Sequence, residues 1–206
     1  MKFTNGYWLI RPNFQMQYAT QAVRVEKRPD ALHVLSACRP IHHRGDTLDG
    51  GTLDVTFTAP RENIIRVTVT HFAGKRDNAP HFETYEEPVN AVIEENDEMV
   101  SFTSGKLTAR VQKGENWRVD YVADGRVLTS SAFRGMGRAL DKDTGKTYMS
   151  DSLMLDVGEC VYGLGERFAA YVKNGQSIDM WNADGGTAVA YACNVLDKAS
   201  MEACHQ

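Results

Sequence analysis

Leu53-Asp54-Val55-Thr56-Phe57-Thr58 and Ile65-Arg66-Val67-Thr68-Val69-Thr70 place an apolar residue at every second position. Successive side chains of a strand point to opposite faces, so each stretch reads as a strand with one buried and one wet face. The same period recurs further on. Leu107, Ala109 and Val111 alternate with Thr108, Arg110 and Gln112, and Trp117, Val119 and Tyr121 alternate with Arg118 and Asp120. Turn residues lie between these runs. Pro60-Arg61-Glu62-Asn63 separates the first two, and Lys113-Gly114-Glu115-Asn116 links the later pair. Asp124-Gly125, set between Val122 and Val127, is a two-residue hairpin signal, because both residues tolerate φ > 0. No amphipathic stretch of helical period interrupts the pattern. The expectation is an all-β protein, an antiparallel β-sandwich.

Composition agrees with a globular domain. The chain has 206 residues, 42% hydrophobic and 24% charged, with a formal net charge of −4. An acidic balance argues against nucleic acid and anionic membranes as partners, since proteins that bind them concentrate Lys and Arg against phosphate. The opening Met1-Lys2-Phe3-Thr4-Asn5 does not read as a signal peptide, and no run approaches the ~18 apolar residues of a membrane span. Cys38, Cys160, Cys193 and Cys204 show no Cys-x-x-Cys spacing, so neither a zinc site nor a redox pair is expected. Reduced cysteines point to a cytoplasmic protein. Residues 74–88 and 134–150 read as longer loops, rich in Gly, Pro and charge. From Glu159 onward the texture turns glycine-rich, then rich in alanine and cysteine.

Several constellations invite chemistry and fail on spacing. Gly163-Leu164-Gly165-Glu166-Arg167-Phe168 lacks the third glycine of a dinucleotide fingerprint, and no Gly-Lys-Ser/Thr follows. Asp141-x-Asp143-x-Gly145 starts like a calcium loop, but its glycine is one position early and Ser152 stands where Glu is needed, so a polar hairpin loop is expected. His42 and His43, if on a strand, face opposite ways and share no metal; His71 and His81 read as solvated or hydrogen-bonded. Glu166, Asp179 and Asp184 could supply paired carboxylates, but 27 Asp and Glu offer many such pairs by chance. Asn174-Gly175-Gln176 followed by Trp181-Asn182-Ala183-Asp184-Gly185-Gly186-Thr187 carries sugar-site chemistry. An indole packs on the C–H face of a pyranose while amides and carboxylates bond its hydroxyls. A buried Trp followed by an Asp-Gly turn is the plain alternative.

Val161 to Phe168, Val172-Lys173-Asn174-Gly175-Gln176-Ser177 and Trp181 to Thr187 together resemble the end of the N-terminal domain of family 31 glycoside hydrolases, α-xylosidases in particular. Asn5 to Ile10, His71-Phe72, Pro80-His81, Lys113-Gly114-Glu115-x-Trp117 and Val157-Gly158-Glu159 are similar too, so the likeness runs from residue 1 to about 187. It implies a mutarotase-like β-sandwich over residues 1–187, followed by a divergent tail, 188–206, irregular or helical around Ala188 to Ala203. It implies retaining hydrolysis of terminal α-linked xylose, as in xyloglucan oligosaccharides, by two aspartates on a (β/α)₈ barrel after the sandwich. No position here matches either aspartate, so the chain by itself is expected to be non-catalytic, with no catalytic residue, metal or cofactor. By resemblance, Asp184 is the best sugar contact, with Trp181 and Asn182 beside it, while Glu166, Arg167, Gly185 and Gly186 support the loop. The implied partners are an α-xyloside or another oligosaccharide, a catalytic barrel domain if separately encoded, or a second copy. A free-standing carbohydrate-binding module or an assembly domain is the alternative.

Overall fold

The computed structural model describes residues 3–5, 9–71, 84–165, 168–178 and 191–192. Its strands run in chain order as β1 (Thr4–Asn5), β2 (Leu9–Ile10), β3 (Phe14–Tyr18), β4 (Gln21–Lys27), β5 (Ala31–Ala37), β6 (Thr52–Thr58), β7 (Ile65–Thr70) and β8 (Val92–Glu95). They continue as β9 (Met99–Ser104), β10 (Leu107–Gln112), β11 (Gly114–Glu115), β12 (Val119–Ala123), β13 (Arg126–Ser131), β14 (Gly137–Asp141), β15 (Thr147–Ser150) and β16 (Tyr191–Ala192). Every pairing among them is antiparallel. A six-stranded sheet has the order β11-β4-β5-β6-β7-β16 and a five-stranded sheet the order β13-β12-β10-β9-β8. A third sheet, β15-β14-β3, and the short pair β1-β2 complete the set.

The two large sheets bury the alternating residues against each other. Leu53, Val55 and Phe57 of β6 meet Leu32 and Val34 of β5 in one core cluster with Val100, Phe102, Leu107, Ala109, Val111, Val119 and Tyr121 from the other sheet. The register explains the fit: Val55 sits across from Val34 and Val69, and Ala109 sits between Phe102 and Tyr121, a small residue flanked by two large ones. Burying one such side chain is worth about 1.5–3 kcal/mol, so this layer is the main source of stability. Turn chemistry sets the hairpins. Asp124 and Gly125 have φ of 49° and 74°, both left-handed as the two-residue turn requires, and Ala123 pairs directly with Arg126. The Pro60–Asn63 turn is fastened from outside, because Asn63 Oδ1 accepts the Lys106 N–H at 2.7 Å.

Three expectations change. Residues 134–150 are a hairpin, not a loop: β14 pairs with both β3 and β15. Its buried face consists of Gly137, Ala139 and Asp141, which carry too little apolar mass to reveal the period. The Lys113–Asn116 link is more than a turn, since Gly114 and Glu115 cross over and pair with Ala22 and Gln21 of the opposite sheet. The helical reading of 188–203 fails where the tail is described, because Tyr191 and Ala192 are extended and lie against Arg66 and Ile65 of β7.

Candidate functional site

The chain leaves β15 at Asp151, and the described residues 151–165 and 168–178 form an irregular strap. The strap is fastened first to β13. Ser131 Oγ donates a short hydrogen bond to the Asp151 carboxylate, and the Ser152 N–H donates to it at 2.9 Å. Asp151 is exposed as a residue, yet its carboxyl points inward. Burial pushes its pKa up despite the two donors, and its charge adds to the burial that raises the Tyr121 phenol. Met154 then pairs with the edge of β13: its N–H donates to Ser130 O at 3.0 Å, and Thr129 Oγ1 donates to its carbonyl at 2.8 Å. A tight turn comes next, in which the Asp156 N–H donates to Glu159 Oε2 at 2.8 Å and Gly158 takes a φ of 86°.

Beyond that turn the strap doubles back on itself. The Lys173 N–H donates to Val161 O at 2.7 Å. The Val161 N–H donates to Asn174 Oδ1 at 2.7 Å, and Asn174 Nδ2 donates to Glu159 O at 2.9 Å. The ammonium of Lys173, a residue only 8% exposed, donates to Ala170 O at 2.6 Å. The rings of Tyr162 and Tyr171 lie 5.0 Å apart across the fold-back. Large apolar side chains of the strap stand in solvent beside its polar ones: Leu153, Met154, Leu155, Val157, Tyr162 and Phe168 are all exposed, as is Tyr171.

The residues expected to touch sugar or support the loop, Asp184, Trp181, Asn182, Gly185, Gly186, Glu166 and Arg167, lie outside the described residues, as do Asp179 and His81. The flanks are described: the segment 179–190 starts after Ile178 at the end of the strap and returns at Tyr191 on the edge of the six-stranded sheet. Asn174 and Gln176, grouped by sequence with the sugar-binding chemistry, are spent on backbone instead: Gln176 Nε2 donates to Val172 O at 2.8 Å. The Asn-Gly pair signals a turn, but the partner of its amide lies on the other limb of the strap, which spacing does not reveal.

Other candidates settle into structural roles. Asp141 accepts from Thr144 Oγ1 at 2.8 Å and from the Asp143 N–H at 3.1 Å, so its carboxylate shapes the hairpin loop; these bonds, Thr144 first, hold its pKa below the usual range. His42 and His43 precede a 3₁₀ turn over Arg44–Thr47 and are not on a strand; His43 Nδ1 caps that turn by accepting the Gly45 N–H at 3.1 Å. His71 Nδ1 lies 3.0 Å from Thr52 O, and His33 Nδ1 3.0 Å from Thr56 Oγ1. Cys38 is half-buried, and burial lifts its thiol to about 11, so it is unreactive at neutral pH. The outer face of the five-stranded sheet holds a polar hollow of about 540 Å³ lined by Met99, Arg110, Lys113, Arg118 and Asp120 among others. Asp120 accepts hydrogen bonds there from Arg118 Nε and Ser130 Oγ, both at 2.6 Å. No group of three His, Cys, Asp or Glu among the described residues could hold a metal ion.

Two facing antiparallel sheets followed by an irregular strap define a mutarotase-like β-sandwich. Residues 54–191 match the glycosyl hydrolase 31 N-terminal galactose mutarotase-like domain, and the chain belongs to that family. The chain is 35% identical over 187 residues to the α-xylosidase XylQ of Lactiplantibacillus pentosus, covering 91% of this chain and 24% of that one. It is 36% identical over 208 residues to an α-xylosidase of Emericella nidulans, covering 91% and 26%. It thus spans about a quarter of the length of these relatives. A cycloalternan-forming enzyme from Listeria monocytogenes, solved with a pentasaccharide substrate, superposes with a TM-score of 0.58 at 18% identity over 79% of this chain and 14% of that one. That likeness shows the fold.

Proposed function

We propose that this chain serves as the non-catalytic sandwich of an α-xylosidase-type glycosidase in the cytoplasm. In this role it seats on a catalytic barrel and lends that barrel a substrate-site loop. The parent reaction is retaining hydrolysis of terminal α-linked xylose from xyloglucan-type oligosaccharides. Such chemistry needs two carboxyls about 5–5.5 Å apart on rigid elements. The barrel supplies both. The sandwich supplies Asp184, Trp181 and Asn182 as contacts to the sugar, with Glu166, Arg167, Gly185 and Gly186 holding that loop.

The observation that carries this reading is the strap. Its exposed Leu153, Met154, Leu155, Val157, Phe168 and Tyr171 are apolar side chains that another body could cover, and in sequence the strap leads directly into the segment bearing Trp181 and Asp184. The chain's coverage of only about a quarter of two α-xylosidases supports a division of labour between this part and the rest. The test is turnover of p-nitrophenyl α-xyloside by the purified chain. No hydrolysis is expected. Turnover that disappears in Asp184→Ala would overturn the non-catalytic assignment.

A further inference from the structure

The outer face of the five-stranded sheet carries one unbroken row of polar side chains. Glu94 of β8 sits across from Ser101, Ser101 from Arg110, Arg110 from Asp120, and Asp120 from Ser130 of β13. Carboxylate, hydroxyl, guanidinium, carboxylate and hydroxyl thus follow one another across all five strands. Two hollows open along this row, one of about 540 Å³ and one of about 340 Å³, and both are lined by Met99 and Arg110. Formal charges cancel in the larger one, where Asp97, Glu98 and Asp120 face Arg110, Lys113 and Arg118. Two of these three cations are already engaged. Arg118 donates Nε to Asp120 Oδ1 at 2.6 Å and Nη2 to Ser130 Oγ at 3.1 Å. Lys113 Nζ donates to Glu95 Oε1 at 3.0 Å and to Asn96 O at 2.9 Å. Arg110 differs. Its closest carboxylate oxygen, Asp120 Oδ2, is 4.0 Å away, and among the described residues its guanidinium donates no hydrogen bond. The side chains of Ser101 and Gln112, its neighbours on the face, make none among the described residues either.

We propose that this face is a binding site for a neutral oligosaccharide, centred on Arg110. With the lining charges balanced, neither an anion nor a cation gains net attraction there. The face instead offers donors and acceptors in close alternation, which is what a ring bearing several hydroxyls needs. The planar guanidinium of Arg110 presents a fixed fork of N–H donors that two adjacent hydroxyl oxygens match. The Ser101 hydroxyl and the Gln112 carboxamide each donate and accept, and the carboxylates of Asp97 and Glu98 accept from further hydroxyls. Met99, common to both hollows, is an adaptable apolar contact for the C–H side of a ring. Strands carry Ser101, Arg110, Gln112 and Asp120, and sites built on strands hold their geometry better than sites on loops. The site is made of residues 94–130 alone and so goes beyond the sugar loop of the proposed function.

The experiment follows two-dimensional amide spectra of the full chain during titration with maltotriose, with a xyloglucan heptasaccharide and with inorganic phosphate. At least one of the two saccharides is expected to shift the amides of Ser101, Arg110, Gln112 and Asp120 saturably at millimolar concentration. Arg110→Ala and Arg110→Lys are both expected to keep the wild-type pattern for the sandwich core and to bind that saccharide about tenfold more weakly, the worth of one hydrogen bond to a charged group. The lysine variant keeps the charge and loses the fork. Absence of saturable shifts at these four amides with both saccharides overturns the site. Saccharide shifts confined to Trp181–Thr187 overturn it too, while leaving the sugar loop of the proposed function standing. Wild-type affinity in either Arg110 variant overturns the assignment of the guanidinium fork. Larger shifts at these amides with phosphate than with either saccharide identify an anion site and overturn the neutral ligand.

Discussion

Gly137→Ala separates a hairpin from a loop by the sign of its effect. In an open loop, replacing Gly by Ala stabilises a protein by about 0.4–1 kcal/mol, because the unfolded chain loses freedom. Gly137 opens β14 and pairs with Tyr18 on one side and Ser150 on the other. A Cβ there would lie 2.8 Å from Tyr18 Cδ1 and 3.0 Å from the backbone oxygen of Gln17. Neither neighbour yields cheaply, since one is a ring edge and the other is main chain held in the β3–β14 ladder. Overpacking of this kind costs about 1–3 kcal/mol, which exceeds the entropic gain. For a domain of this size each kcal/mol moves the melting temperature by about 2–4 °C. Thermal unfolding followed by far-ultraviolet circular dichroism should therefore show Gly137→Ala melting roughly 2–8 °C lower. A variant that melts at or above the wild-type temperature would refute the close approach of β3 and β14, and with it the three-stranded sheet.

The strap yields two further tests. Asp151→Asn keeps an oxygen for Ser131 Oγ and the Ser152 N–H but removes a charge that burial disfavours; because the folded pKa of this carboxyl is raised, the native state binds its proton more tightly than the unfolded chain. The carboxyl's contribution is therefore most favourable below the ordinary Asp range and is lost as pH rises through the folded pKa. Asp151→Asn should raise the melting temperature at pH 7 and lose that advantage as pH falls to about 4, the ordinary Asp value, and an advantage that persisted in acid would contradict this account. Phe168→Ala combined with Tyr171→Ala removes two rings that are 114% and 81% exposed, so it should leave the melting temperature unchanged. In the absence of a covering domain, wild type should scatter light as a species larger than 23.0 kDa at tens of micromolar and the double variant as a monomer; a clean wild-type monomer would count against an association face.

Legibility in the sequence depends on where the physics is local. Strands β6, β7, β10 and β12 announce themselves because Leu53, Val55 and Phe57, and their counterparts, put bulky apolar groups on one face at period two. The Asp124-Gly125 hairpin is equally legible, since two left-handed positions in succession demand those residue types. Strand β14 is silent because its inward residues are Gly137, Ala139 and Asp141: the space against β3 is filled by Tyr18, and the partner's bulk leaves no trace in the strand's own sequence. The crossover at Gly114 and Glu115 is silent for a different reason. Gly and Glu there read only as a turn, and the pairing that makes them a strand comes from Gln21 and Ala22, more than ninety residues earlier. For the site, the Asn-Gly turn is visible, but the bond from its amide to Glu159 crosses the strap and has no sequence period. The resemblance marks the Trp181–Asp184 segment as important, while the bonds of Asn174 to Val161 and Glu159 emerge only from the fold.

The division between sandwich and strap has a physical logic. The core of Leu32, Val34, Leu53, Val55, Phe57, Val100 and Phe102 is fully enclosed between the two large sheets. The strap spends little apolar surface inward. It is held by directional bonds instead: Ser131 to Asp151, Met154 to Ser130, Lys173 to Ala170 and Asn174 across the fold-back. Hydrogen bonds fix geometry at a modest net gain of about 1 kcal/mol each, whereas apolar burial supplies stability with little directional preference. A segment whose large apolar side chains stay exposed is therefore held in place by the first kind of interaction more than by the second. Loss of the Asn174 bonds would therefore loosen the fold-back while leaving the core of the sandwich intact, whereas Gly137→Ala strains the β3–β14 ladder itself.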